Sequence, residues 1–440
     1  MEDLGPAELE DLLAYRDYLE QYYVNGIEEQ CLSQIVLGAF NSLKPILLAT
    51  VGTKIVMKMK LPKWLTVLLH MMLCLCQLST FTKGAIVWYF LVNLMSFIPM
   101  YLISIRKLGG TKALVFSLAF ILIAQFWLSP AEFMSVRGVL MLQAMKVITV
   151  AYEEQDLRRR NTVFENLDYL FFPPTLLFGP YMTLEDFKKM KNKVESTKLR
   201  EYLTYLFALI IIFIGSFALV FSTCFADEIP IYYGIVDSWL VALSFRASHY
   251  FVSAVAQGIA IFFGIDVIST NILKIEFPRS IASLVIAWSP PMHKFLHTYV
   301  FKKSPFRQPF RKIMYTFLIS SLLHGVDTQI AFTLFALGFI GYCESELRRK
   351  IAQRYSMCVK SKECDDKCKH RHKYDDLLVL LINAFFGVLT MYHLVFTGMS
   401  FVDEYAQIGY PFLHIIYTWR DHYYASFIIS IISFAISRYI

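Results

Sequence analysis

Residues 277–327 read FPRSIASLVIAWSPPMHKFLHTYVFKKSPFRQPFRKIMYTFLISSLLHGVD, an apolar run, a basic patch at 302–312, and a second apolar run that ends at His324. A second basic segment follows, with ten bases between Arg348 and Lys373. If the apolar runs are membrane spans, both basic segments belong on the same, cytosolic face. Only 33 residues (313–345) separate them, whereas two full crossings need ~40 residues plus a turn. The chain is therefore expected to rise and return in short or broken helices, with His324 near the turning point. At 1.5 Å per residue, His324 lies roughly 20 Å from Arg311, at mid-membrane or beyond. An imidazole at that depth is costly unless paired or facing a polar cavity, which makes it a candidate for a base, a ligand or a packed structural group.

The rest of the chain supports a membrane setting. Of 440 residues, 56% are hydrophobic, only 18% are charged and 38 are Phe. Soluble domains run near a quarter charged, and the repeated apolar runs of eighteen or more residues specify a polytopic α-helical membrane protein. Residues 1–30 carry nine acidic groups and a single base, Arg16, the reverse of a signal peptide's n-region. This segment is expected to form a lumenal, surface amphipathic helix. The net charge of +7 sits in short loops, so it reports orientation and excludes a nucleic-acid reader.

Spans are expected at about 31–52, 64–82, 84–105, 113–129, 202–224, 375–400 and 421–438, with 230–266 forming one long or two short helices. Four lysines in the first loop, TKIVMKMKLPK, place that loop in the cytosol and the N-terminus in the lumen. Residues 133–151 are less regular, because Arg137 and Lys146 interrupt an apolar run, and they should pack inside protein. Pro173, Pro174 and Gly179-Pro180 make 163–182 a re-entrant or broken segment. Arg246, Ser248 and His249 are expected to face an interior. A Cys/His-rich loop, expected at 346–373 on the cytosolic face, carries Cys358, Cys364, Cys368, His370 and His372. The donor set could bind zinc, although its spacing is no standard zinc motif. Reduced thiols in a cytosolic loop and S-acylation are the alternatives.

The motifs RGVLMLQAMKV (137–147), LLFGPY (176–181), FPRSI (277–281), AW..PM…..YVFK (287–302) and SSLLHG (320–325), with the pattern C-x5-C-x3-C-x-H-x-H after them, together resemble the protein-acylating members of the membrane-bound O-acyltransferase (MBOAT) family. The similarity runs from about Arg137 to the last span; each motif alone is weak, and their order and spacing carry the signal. The resemblance implies a bundle of roughly 9–11 transmembrane helices with broken segments around a central polar chamber. It further implies an endoplasmic reticulum enzyme that moves a monounsaturated acyl group, palmitoleoyl, from acyl-CoA to a serine hydroxyl of Wnt proteins. The family's catalytic histidine falls on His324. A family asparagine falls 35 residues earlier, directly after a tryptophan; here Trp288 is present but Ser289 follows it.

The chemistry is consistent with that assignment. A thioester is already activated, so no cofactor and no covalent nucleophile are required; a base near the acceptor hydroxyl and donors near the developing oxyanion suffice. His324 suits the base. Ser289 offers one hydroxyl donor in place of an amide's two, or it simply caps a helix before Pro290. His293 and His297 follow on one face as possible substitutes or as interfacial histidines. Ser320 and Phe317 share the His324 stripe as tunnel-lining candidates, packing being the alternative for Phe317. Arg279, beside Pro278 and Ser280, is a candidate for the coenzyme A phosphates or an interfacial anchor. Three other functions remain open: an acyltransferase with a lysolipid or sterol acceptor; a catalytically weakened scaffold binding Wnt or lipid; and a secondary transporter, against which the lack of any internal repeat counts.

Overall fold

Prolines set where several helices of this chain start. In the computed structural model, which describes residues 33–79, 84–156, 161–192, 198–224, 234–364, 368–402 and 409–440, all regular structure is helical apart from one isolated bridge between Met357 and His372. The expected amphipathic helix at 1–30 lies outside the described residues. The first four described helices are α1 (Ser33–Lys58), α2 (Lys63–Ser79), α3 (Ala85–Ser104) and α4 (Gly110–Trp127). Helix α5 (Pro130–Asp156) opens on a proline, which has no N–H to lose in a first turn and a φ already suited to it. The same device starts α12 (Pro290–Phe295) and α13 (Pro309–Leu323).

The expected break at 163–182 is present. Helix α6 (Val163–Leu170) begins in a Thr162/Glu165 capping box and ends before a short 3-10 turn at Pro173–Thr175. Pro173 and Pro174 cannot donate to the last carbonyls of α6, and other groups do so instead. Lys146 Nζ donates to the Leu170 carbonyl at 3.1 Å, and the Cys74 thiol donates to that of Phe171 at 3.3 Å. Lys146 is therefore interior, as its position in an apolar run implies, and is 1% exposed. A Cβ on Gly179 would lie 1.7 Å from the Pro174 carbonyl oxygen, so only glycine lets the chain fold back on itself there. This irregular backbone is almost wholly buried, the condition under which it survives at membrane depth.

After α7 (Leu184–Lys191), α8 (Lys198–Cys224) and α9 (Gly234–Phe263) form the most extensive helix pair. Gly215 meets Ala254, and Gly258 meets Ile212, so small residues bring the two backbones close. Residues 230–266 thus contain one long helix. Short helices α10 (Ile272–Glu276), α11 (Ile281–Trp288), α12 and a π-helical turn (Leu296–Phe301) lead to α13. Then come α14 (Thr328–Tyr355), α15 (Leu377–Gly398), α16 (His414–Asp421) and α17 (Ala425–Tyr439).

Seven described helices are long and apolar enough to cross a membrane, and two more, α2 and α17, are apolar but shorter. Phe213, Phe217, Leu381 and Val388 are among many large apolar side chains on the outer surface, where hydrocarbon and not water is their natural contact. The chain is an all-α, multi-pass membrane protein. The stretch 133–151 packs inside protein as expected: it lies within the continuous 27-residue α5, the most buried of the seven candidate spans, and its polar groups find partners there. One expectation needs correction. The loop expected from 346 starts only at Ser356, since α14 runs on to Tyr355. Charge counting assigned Arg348 to a solvated loop, yet it is fully buried.

Candidate active site

The turn between α13 and α14 is irregular backbone held by side chains of neighbouring helices. His324 closes α13, with its N–H on the Ser321 carbonyl at 3.0 Å. Gly325 follows at φ +85°, a conformation L side chains rarely adopt. A Cβ there would lie 2.7 Å from the Phe133 ring and 2.9 Å from Gln125 Oε1. Gln125, from α4, then grips Val326 twice, accepting its N–H at 2.6 Å and donating to its carbonyl at 3.0 Å. Arg137, from α5, pairs with Asp327 at 2.9 Å in a half-buried ion pair. The same Asp327 side chain accepts the Ile330 N–H and starts α14. Three side chains, those of Gln125, Phe133 and Arg137, thus fix three consecutive residues, 325–327, against the ends of α4 and α5.

The His324 side chain itself has no hydrogen-bond partner among the described residues and keeps part of its surface accessible. Asp327, paired with Arg137, follows three residues later in the chain. An imidazole oriented by its backbone and not committed to a protein partner is free to exchange a proton with a bound molecule. The turn and the basic 302–312 patch lie toward opposite ends of α5. The turn packs on the Gln125–Arg137 end of α4 and α5. Tyr299 and Lys303, beside the 302–312 patch, meet the other end of α5 at Glu153 and Tyr152.

The Trp288–Ser289 junction is built differently. Pro290 and Pro291 end α11 by withholding two amide donors. The freed carbonyls are recovered across the chain: that of Ala287 by the Asn271 N–H at 2.9 Å, and that of Trp288 by Thr270 Oγ1 at 2.8 Å and His249 Nε2 at 2.9 Å. His249 also stacks on the Trp288 ring, centroids 4.4 Å apart. Ser289 caps α12, its hydroxyl accepting the Met292 N–H at 3.4 Å. Among the described residues no hydrogen bond joins Ser289 to His324.

The remaining candidates separate. Ser320 is buried on α13 one turn before His324, whereas Phe317 packs against Gly338 of α14. Arg279 donates to the carbonyls of Cys358 at 2.9 Å and Lys360 at 3.2 Å, so its guanidinium holds the cysteine loop to the start of α11. His293 and His297 stack on one another near Lys294, whose ammonium pairs with Asp186 of α7 at 2.6 Å. Cys358, Cys364, Cys368 and His370 converge into one cluster. His372 is not part of it; its Nδ1 meets Asp376 at 2.6 Å, and that hydrogen bond holds the Asp376 carboxyl below its ordinary range.

Sequence patterns did not point to Gln125, Phe133 or Asp327. The one available hint was Asp327, an acid three residues past the histidine at the start of an apolar run, where N-caps are expected.

The sequence pattern described as MBOAT, membrane-bound O-acyltransferase family, matches residues 55–354 of this chain. The chain belongs to the membrane-bound O-acyltransferase family. Within this family it is similar to the protein-serine O-palmitoleoyltransferase porcupine of Caenorhabditis briggsae, with 36% identity over 438 residues, 96% of this chain and 98% of that relative. The porcupine proteins of Mus musculus (25% identity; 93% of this chain, 96% of the relative) and Homo sapiens (27%; 80% and 83%) are more distant matches. The chain is an O-acyltransferase of the porcupine group. The MBOAT match encloses the Trp288–Ser289 junction and the His324 turn but stops before the cysteine cluster.

Proposed function

We propose that this O-acyltransferase transfers a palmitoleoyl group from acyl-CoA to a serine hydroxyl of a Wnt protein in the endoplasmic reticulum membrane, with His324 as the base. One observation carries the assignment of His324: an imidazole with no hydrogen-bond partner among the described residues, on a turn clamped by Gln125, Phe133 and Arg137. The names of the relatives supply the acyl group and the serine acceptor.

In this mechanism an imidazole nitrogen takes the proton of the serine hydroxyl as its oxygen attacks the thioester carbonyl. The C–O bond forms, the C–S bond breaks, and the imidazolium returns the proton to the departing thiolate. No covalent acyl-enzyme is needed. The charged nucleotide of the donor stays on the face of the basic 302–312 segment, because phosphates do not enter hydrocarbon. The acyl chain then reaches toward Ser320 and His324, and the Wnt serine arrives from the opposite, lumenal face, where the N-terminus is also assigned. Ser289, Trp288, Phe317 and Arg279 stand one step back in this scheme. Ser289 offers a single hydroxyl near the tryptophan, and Arg279 acts through the loop it binds.

The test is acyl transfer from palmitoleoyl-CoA to a Wnt peptide by purified protein, with a lysolipid acceptor in parallel. His324→Ala is expected to lower transfer to the peptide by about 10²–10⁴-fold, the usual weight of a general base. Unchanged transfer by that variant would remove His324 from the mechanism, and turnover of the lysolipid alone would replace the acceptor class.

A further inference from the structure

We infer that Cys358, Cys364, Cys368 and His370 form a closed, structural zinc site that locks the loop after α14 onto the start of α11. The four donor atoms, three Sγ and His370 Nδ1, all lie within 4.8 Å of one another. Cys358 Sγ is 3.2 Å from Cys368 Sγ, and the sulfurs of Cys358 and Cys364 are each 3.5 Å from His370 Nδ1. Tetrahedral zinc with its usual bond lengths of roughly 2.3 Å to sulfur and 2.0–2.1 Å to nitrogen sets edges of about 3.8 Å between sulfurs and 3.6 Å between sulfur and nitrogen. The sulfur–nitrogen edges match, and the short sulfur pair is far too long for a bonded disulfide of about 2.05 Å. Three thiols and an imidazole are the soft donor set that selects zinc over magnesium or calcium.

The backbone around the cluster is already arranged. Ser356, in the left-handed region at φ 53°, ends α14 and turns the chain back. Its carbonyl accepts the His372 N–H at 3.0 Å, and the His372 carbonyl accepts the Cys358 N–H at 2.9 Å. This pairing brings residue 358 alongside 368–372, which sequence spacing alone does not suggest. Cys358 is buried with Met357, Val359, Ala352 and Val379 in a small apolar cluster that Cys364 and Cys368 adjoin. Four protein donors leave no open position, so the site is structural and not catalytic.

Its role follows from what the loop holds. The carbonyls of residues 358–361 accept hydrogen bonds from Arg279, Arg348, Asn383 and Ser280. Ser280 is also the N-cap of α11, the helix that ends at Trp288 and Ser289. A metal tying Cys358 to Cys364, Cys368 and His370 therefore makes the acceptor set for Arg279, Asn383, Ser280 and buried Arg348 a single rigid piece. The site lies outside the proposed reaction centre and stands independently of it.

Metal analysis of the purified full-length protein in detergent is expected to find one zinc per chain. His370→Gln and Cys364→Ser should each lose it, while His372→Gln, whose imidazole belongs to Asp376, should keep it. Maleimide labelling of intact protein should expose three additional thiols only after a strong chelator is added, with a fall in melting temperature. That arm needs no variant and decides the matter if the cysteine variants do not accumulate. Wild-type protein without zinc, equimolar iron in its place, a Cys358–Cys368 disulfide in non-reduced digests, or loss of zinc from His372→Gln would overturn the assignment.

Discussion

At the scale of single residues, Gly325 and Ser289 make opposite demands on their positions. Gly325 is required twice, once by its positive φ and once by the Phe133 ring at the place a Cβ would occupy. Gly325→Ala should destabilise the protein by roughly 1–3 kcal/mol and lower acyl transfer beyond what the loss of folded protein explains. Melting temperature and rate per folded molecule, measured together, check this. Ser289 is the more permissive position, because its visible task is to cap α12, and Asn caps as well as Ser does. Ser289→Asn should leave stability unchanged, whereas Ser289→Ala should lose about 1 kcal/mol. With the cap preserved, any rate gain in Ser289→Asn reports chemistry alone. Equal transfer rates for all three proteins would restrict Ser289 to the cap.

Among elements, the α13–α14 turn and the buried end of α14 carry the testable interactions. Asp327 both caps α14 and pairs with Arg137, and Asp327→Asn separates the two roles, since Asn still caps. Transfer should fall in Asp327→Asn with little change in melting temperature. A double-mutant cycle with Arg137→Ala should give a coupling of roughly 0.5–3 kcal/mol; additive effects would show that the pair does not position the turn. Arg348 reaches five acceptors, the carbonyls of Val359, Arg279 and Lys360 and the side chains of Glu344 and Asn383. Arg348→Ala should cost about 3–5 kcal/mol, as expected when one member of a buried charged network is removed; thermal or denaturant unfolding in detergent reads it. These elements also mark how far the sequence could be read. Apolar runs and proline positions are enough to locate the helices and the broken 163–182 segment, because those signals are local. Gln125 and Arg137 reach partners 201 and 190 residues away, and no periodicity records such a contact. Arg348 misled for a related reason: a base at the end of an apolar run looks solvated until its acceptors come into view. The cysteine spacing was uninformative because the Ser356 reversal, and not the interval between ligands, gathers the donors.

For the whole molecule, the long helices set two features far apart. The His324 turn lies at the Gln125–Arg137 end of α4 and α5. A cleft of ≈ 930 Å³ lined by Arg106, Lys107, Lys112, Glu154, Gln155 and Asn161 lies at the other, about 26 Å away along α5 at 1.5 Å per residue. Helix α14 joins the His324 turn to the cysteine loop and is fastened near both ends, at its start by Asp327 and two turns before its last residue by Arg348. Its uncharged part, residues 328–343, spans about 24 Å, against a hydrocarbon core of ~30 Å. A rod held near both ends cannot slide to meet a thinner or thicker bilayer; the mismatch must be met by thinning the lipid or by tilt, and tilt would swing the turn it carries. Lipid thickness should therefore tune this enzyme. Reconstituted into lipids of graded chain length, acyl transfer should pass through an optimum, and a flat profile would show that the turn is insulated from its rod.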